Sequence, residues 1–207
     1  MADTRTQILD AAERLFGERG FHGTSVRAIT ELAGANLAAV GYHFGSKAEL
    51  LAAVARRVIE PINAAQNAEL DRLLARTPDP PVADLVAAFV GPLFDGMPDG
   101  DEGGARTSRL IMTILGDPAE EVRAWTGAAE DAVRDRYVAA FGRALPGLSP
   151  EELGFRMRGI LAVAAVDRAE VHHRPVPGCP APVPGEAARR WAITFLAAAM
   201  SAPPAGT

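Results

Sequence analysis

The segment Ser25 to Leu51, SVRAITELAGANLAAVGYHFGSKAELL, restricts the possible folds of this chain more than any other part of it. Thr24 and Ser25 carry hydroxyls that can accept a bond from a backbone N–H left free in a first helical turn. Val26, Ile29 and Leu32 then recur at helical spacing and predict a short helix with an inward apolar face. Ala33-Gly34-Ala35 follows, where the glycine can take the left-handed conformation that ends a helix without Cβ strain, and Asn36 can cap the next one. From Leu37 to Phe44 the apolar Leu37, Val40 and Phe44 share one face, and Ala38, Ala39, Gly41, Tyr42 and His43 occupy the other. Gly45 and Ser46 break and restart the helix, with Ser46 as cap and Glu49 at the third helical position in a capping-box arrangement.

Two short helices about a tight turn are the layout of a helix-turn-helix that reads DNA. Small side chains let a helix backbone sit deep in a major groove about 12 Å wide, while a Tyr hydroxyl and a His near the helix end can donate to a phosphate or a base edge. The free N–H groups and Lys47 at the next helix start attract a phosphate. The residues assigned to DNA are therefore Thr24, Ser25, Arg27, Asn36, Leu37, Ala38, Ala39, Gly41, Tyr42, His43 and Lys47. Arg27 and Lys47 are expected on phosphates; Asn36, Ala38, Ala39 and Tyr42 are expected to set sequence preference. Upstream, Thr4 to Arg19 places Ile8, Leu9, Ala12, Leu15 and Phe16 on one face, closed off by Gly20 and Phe21. Residues 1–50 are read as a three-helix DNA-binding domain and 51–207 as a ligand-binding and dimerisation domain.

Charge supports a selective reader. A net charge of −5 over 207 residues argues against an indiscriminate nucleic-acid coat, because nonspecific binding is carried by positive charge. Between Thr24 and Lys47 the one acid is Glu31, set against Arg27 and Lys47. The single cysteine, Cys179, excludes an intramolecular disulfide framework and is compatible with a reducing cytoplasm. The N-terminus has no charged-then-apolar signal pattern and no apolar run reaches about 20 residues, so a soluble cytoplasmic protein without a membrane partner is expected.

Beyond Leu51 the chain reads as helical nearly throughout, giving an all-α fold of nine helices and no strand. Pro61 is expected to kink or break the helix near Val58, at the junction of reader and body. Arg174 to Gly185 is proline-rich and reads as a loop. Apolar residues on central helices either fill the core or line a cavity for an apolar ligand. The ligand candidates are Phe89, Leu93, Phe94, Arg109, Met112, Leu115 and Trp125, with Arg106, Arg109 or Arg123 available to an acidic head group. On the last two helices, Phe155, Gly159, Ala162, Val163 and Val166 on one and Trp191, Ile193, Phe195 and Leu196 on the other give broad apolar faces. They form either a four-helix interface of a homodimer or a cover for their own subunit's core.

Catalytic and metal chemistry find little support. His172 and His173 adjoin on one helix and so point about 100° apart, with only Cys179 nearby as a further ligand. Asp167, Glu170 and His172 read as surface charges, and Gly45-Ser46-Lys47 lacks the leading glycine spacing of a phosphate loop. No cofactor and no metal are expected, and the chain is not read as an enzyme.

The run ILDAAERLFGERGFHGTSVRAITELAGANLAAVGYHFGSKAELLAAV resembles the N-terminal domain of TetR-family transcriptional repressors, along about the first quarter of the chain. Asn36 to Val40, Tyr42 to Lys47, Arg56-Arg57 and Pro61-Ile62-Asn63 are similar to the branch containing PsrA-like and CecR-like regulators. The resemblance implies a homodimer on a palindromic double-stranded DNA operator, released by a small apolar ligand, with fatty acid or acyl-CoA as the ligand class. A regulator of the same family that senses an aromatic drug or metabolite stays open, as does activation in place of repression. An all-helical enzyme or a protein adaptor is the alternative of a different class.

Overall fold

The computed structural model describes residues 3–95, 109–111, 114, 120–169 and 186–205. Every regular element among them is a helix: α1 (Thr4–Gly23), α2 (Val26–Ala33), α3 (Ala38–Phe44), α4 (Lys47–Arg76), α5 (Val82–Asp95), α6 (Glu120–Ala144), α7 (Pro150–Ala169) and α8 (Glu186–Met200). Residues 109–111 and 114 are helical as well. The proline-rich stretch from 174 to 185 lies outside the described residues.

The expected caps of the N-terminal helices are in place. Ser25 Oγ accepts from the Ala28 N–H at 3.1 Å, and Asn36 Oδ1 from the Ala39 N–H at 2.9 Å. Ser46 Oγ accepts from the Glu49 N–H at 3.1 Å, so each helix start satisfies one of its orphan donors. Gly34 ends α2 in the left-handed conformation, with φ 64° and ψ 28°. Thr24 departs from expectation. It is buried, and its hydroxyl faces the Leu15 carbonyl at 3.0 Å and the Gly20 carbonyl at 2.8 Å. It closes α1, whose path is broken at Gly20 (φ 69°, ψ 176°), and leaves the capping of α2 to Ser25.

Two apolar cores follow. The first joins Ile8, Leu15 and Phe16 of α1 to Ile29 of α2, Val40 and Phe44 of α3, and Leu50, Leu51, Val54 and Ile59 of α4. The second is built on α4 to α8, with Phe89, Tyr137, Phe141, Met157 and Leu196 in it. They do not part at residue 50. The first runs along α4 as far as Ile59 and also takes in Leu110 and Ile114.

Pro61 does not interrupt α4, which is one helix of 30 residues. Proline removes one hydrogen bond and crowds the preceding turn, at about 3 kcal/mol. Ile59 on one side of it and Gln66 and Leu70 on the other are buried in tertiary contacts, and packing of this kind outweighs local propensity. The helix is also tied to the reader by Arg57, whose Nη1 meets Asp10 at 2.7 Å and whose Nε meets Glu13 at 3.1 Å. The shared helix α4 thus makes reader and body one connected frame.

Candidate functional site

The outward face of the helix-turn-helix is formed by Ala38, Gly41 and Tyr42, all exposed; Tyr42 stands 86% exposed. His43 is half-buried, with its ring edge-on to Tyr42 at 4.9 Å between centroids. A phenol held upright by a neighbouring imidazole, on a helix with small residues before it, fits a groove-reading surface.

Two positions exchange roles relative to the sequence reading. Leu37, placed on the inner face, is 61% exposed, and Ala39, placed on the DNA side, is buried. The inner stripe of α3 is Ala39, Val40 and Phe44, because the chain enters α3 at Leu37 with that side chain still outside the packed turn. Leu32 of α2 is likewise exposed, while Thr30 is buried and donates to the Val26 carbonyl at 3.2 Å and the Arg27 carbonyl at 3.0 Å. Of the residues assigned to DNA, Thr24 and Ala39 are therefore turned inward. Ser25 and Asn36 are exposed but use their side-chain oxygens as caps.

Three cations border this face. Arg27 is exposed and pairs with Glu31 at 2.9 Å, one helical turn on. Lys47 rests its Nζ 4.1 Å from the centre of the Phe21 ring, and Arg5 holds its Cζ 5.2 Å from the centre of the Phe44 ring. These cation–π contacts keep both side chains beside the helix-turn-helix. Arg5 escaped the sequence reading; a cation just inside α1 was its only signal, and its nearness to α3 arises from tertiary packing. Gly45 has φ 84°, and a Cβ there would collide with the Glu49 carboxylate, so glycine shapes the turn between α3 and α4.

In the body a cavity of about 360 Å³ lies between α4, α5, α6, α7 and Ile111. Phe89 and Leu93 line it, together with Ile59, Ile62, Asn63 and Gln66 of α4, Val133, Arg134 and Val138 of α6, and Gly154, Met157, Arg158 and Leu161 of α7. Phe94 is buried but belongs to the core behind the wall, and Arg109 does not line the cavity. Met112, Leu115 and Arg106 lie outside the described residues, as do the side chains of Trp125 and Arg123. The cationic lining comes instead from Arg134 and Arg158, which the sequence reading missed because each follows an inward apolar residue, Val133 or Met157.

The last two helices leave an apolar face uncovered. Phe155, Trp191 and Phe195 are 69%, 63% and 62% exposed, with Val163, Gly159 and Ala162 exposed among them. The side chain of Val166 lies outside the described residues. Leu196 is buried and Ile193 packs against the second core, so these two stabilise the subunit itself.

Residues 8–54 match the bacterial regulatory proteins of the tetR family, and residues 87–199 match the tetracyclin repressor-like C-terminal domain. The chain belongs to the TetR family. It is 48% identical over 52 residues to the transcriptional regulator TtgR of Pseudomonas putida, a match covering 25% of each chain. It is 37% identical over 131 residues to the repressor NicS of Pseudomonas putida, covering 63% of this chain and 60% of that one. The chain thus spans about a quarter of the length of TtgR and 60% of NicS. Among solved structures it resembles the TetR-family regulator PfmR of Thermus thermophilus, with a TM-score of 0.65 at 19% identity over the whole of both chains. NalD of Pseudomonas aeruginosa follows the same fold, with a TM-score of 0.59 at 20% identity over 95% of this chain and 94% of that one. Among the described residues no helix is long and apolar enough to cross a membrane, and no group of three His, Cys, Asp or Glu side chains is placed to hold a metal. Glu170, His172, His173, Cys179 and the side chain of Asp167 lie outside them.

Proposed function

We propose that this TetR-family chain is a dimeric, cytoplasmic repressor that binds a palindromic operator and lets go when a small apolar ligand enters the body. The observation that carries this reading is the placement of Leu110, Ile111 and Ile114 between the cavity and the reader. Ile111 lines the cavity, while Leu110 and Ile114 are buried in the core of the reader. A ligand that moves Ile111 pushes against residues on which α1 to α4 are packed.

The exposed aromatic face of α7 and α8 supports the dimer, since Phe155, Trp191 and Phe195 together leave more apolar surface in water than a lone subunit favours. Two recognition helices related by a two-fold axis must enter successive major grooves about 34–36 Å apart, which makes the operator palindromic. Their separation is the switch. A ligand that prefers another separation weakens DNA binding, and DNA weakens ligand binding by the same coupling free energy. The apolar lining, half of it Ile, Leu and Val, together with the PsrA-like pattern around α3, supports a fatty acyl ligand.

Fluorescence anisotropy of the full chain against DNA flanking its own gene, at fixed salt, with and without a medium-chain fatty acid, tests this. Tight binding released by the acid is expected. Failure both on that DNA and in a random-site selection would remove the regulator reading, and tight binding without release would remove the acyl ligand. Sedimentation of Trp191→Glu should show monomers where the parent chain shows dimers at micromolar concentration.

A further inference from the structure

We infer that the cavity takes an anionic amphiphile, a carboxylate on an apolar body, whose charged end lies at Arg134 and Arg158. This rests on the reading of that cavity as the ligand site. Among the described residues, four of its lining side chains are polar, Asn63, Gln66, Arg134 and Arg158, and none is acidic. In a chain with 26 acidic and 21 basic residues, a described lining with two guanidinium groups and no carboxylate inverts the local charge balance.

The two cations are held differently. Arg158 makes no hydrogen bond or ion pair among the described residues, and its Nη1 lies 3.5 Å from where a Gly154 Cβ would stand. The glycine gives the guanidinium room to lie along α7 at the cavity wall. Arg134 reaches the cavity from α6 and has the exposed Asp135 carboxylate at 3.4 Å, a long contact between successive residues. A planar guanidinium matches a carboxylate with two parallel N–H donors. A carboxylate entering apolar surroundings needs such a partner, because burying its charge unpaired is costly.

Size limits the body of the ligand. About 360 Å³ lies at the small end of the 300–1,000 Å³ usual for ligand cavities. A medium acyl chain or a small aromatic ring system fits, and a coenzyme A moiety stays outside. The carboxylate is common to both.

The test is titration calorimetry of the full chain with decanoate and 1-naphthoate, each beside its uncharged alcohol, decanol and 1-naphthalenemethanol. At least one acid should bind about ten- to a hundredfold more tightly than its alcohol, as expected for hydrogen bonds to a charged group. Preference for decanoate assigns an acyl body and preference for naphthoate an aromatic one. In Arg134→Gln/Arg158→Gln the preference should vanish while the alcohol still binds. Arg158→Gln alone, at a residue with no hydrogen bond or ion pair to lose among the described residues, should already reduce the preference if the double variant does not fold. Equal affinity for acid and alcohol, an unchanged preference in the variants, or no binding of either acid at millimolar concentration overturns the proposal. DNA binding of the same ligand-free preparation separates the two readings. A chain that binds DNA but no acid loses only the anion site, and one that binds acid but no DNA loses only the regulator.

Discussion

The Tyr137 hydroxyl donates to the Gln66 carbonyl at 2.8 Å in the middle of the second core. Gln66 in turn donates its Nε2–H to the Phe89 carbonyl at 2.7 Å, so one buried chain of bonds joins α6 to α4 and α4 to α5 beside the cavity. Pro92 disturbs the ladder of α5 at this place, since it offers no N–H to the Ala88 carbonyl. Burial pushes the Tyr137 hydroxyl above its ordinary pKa, and it remains a donor throughout the physiological range.

Removing the two links should have unequal effects. Tyr137→Phe loses one buried hydrogen bond but leaves an acceptor that also belongs to the α4 ladder, so urea denaturation should show a loss of about 1 kcal/mol. Gln66→Leu withdraws a donor from the Phe89 carbonyl next to the proline-disturbed turn and should lose about 1–3 kcal/mol. A larger loss in Tyr137→Phe than in Gln66→Leu would contradict this ranking.

The N-terminal half of the fold was legible because its signals are local. Ser25, Gly34, Asn36 and Ser46 act within three or four residues of themselves, and the caps stand where spacing put them. What failed depended on distant packing. Whether Leu37 or Ala39 turns inward is decided by how α3 seats on its neighbours, and one residue of phase moves a side chain about 100° around a helix. Pro61 carries a correct local signal for a break, overruled by burial on both sides of it. The cavity cations show the same limit. The sequence points to Arg106, Arg109 and Arg123, but Arg134 and Arg158 reach the wall from α6 and α7, and no pattern within either helix marks them.

Gly45→Ala should damage both stability and DNA binding. At φ 84° an L side chain is strained, and here the new Cβ also strikes the Glu49 carboxylate that overhangs the turn. Strain of this kind costs about 1–3 kcal/mol, and since the exposed Glu49 carboxylate can swing aside, the backbone strain at the turn between α3 and α4 carries most of the loss. Thermal melting together with anisotropy should show a lower midpoint and weaker binding. Gly45→Ala/Glu49→Ala should recover only part of the loss, because the backbone conformation remains unfavourable.

Glu31 should restrain DNA affinity through Arg27. The pair is exposed, so its contribution to stability is small, and Glu31→Gln should leave the melting midpoint nearly unchanged. A phosphate approaching Arg27 meets a guanidinium already engaged by a carboxylate, whose charge repels it. Glu31→Gln should therefore tighten operator binding about threefold at low salt and less at high salt, where screening weakens the repulsion. Arg27→Ala should weaken binding across sequences and lower the salt slope by about one. Unchanged affinity in both variants would place Arg27 away from the phosphates.

Acid should loosen the end of the chain through Glu152. Its Oε1 accepts from the Ala205 N–H at 3.1 Å and from Arg156 Nε and Nη2 at 3.1 and 2.6 Å, while Arg156 also donates to the Met200, Ala202 and Pro203 carbonyls just past α8. The Ala205 N–H and then Arg156 hold the Glu152 carboxyl below its ordinary value of 4.5. A carboxyl whose pKa is lowered by folding contributes stability that is complete above its unfolded pKa and is lost as pH falls through the folded one. The difference in melting temperature between the parent chain and Glu152→Gln should therefore be constant from pH 7 down to about 5 and shrink below 4.5. A difference that stays level to pH 3 would mean that the carboxylate charge does no work there and that the amide serves Arg156 equally well.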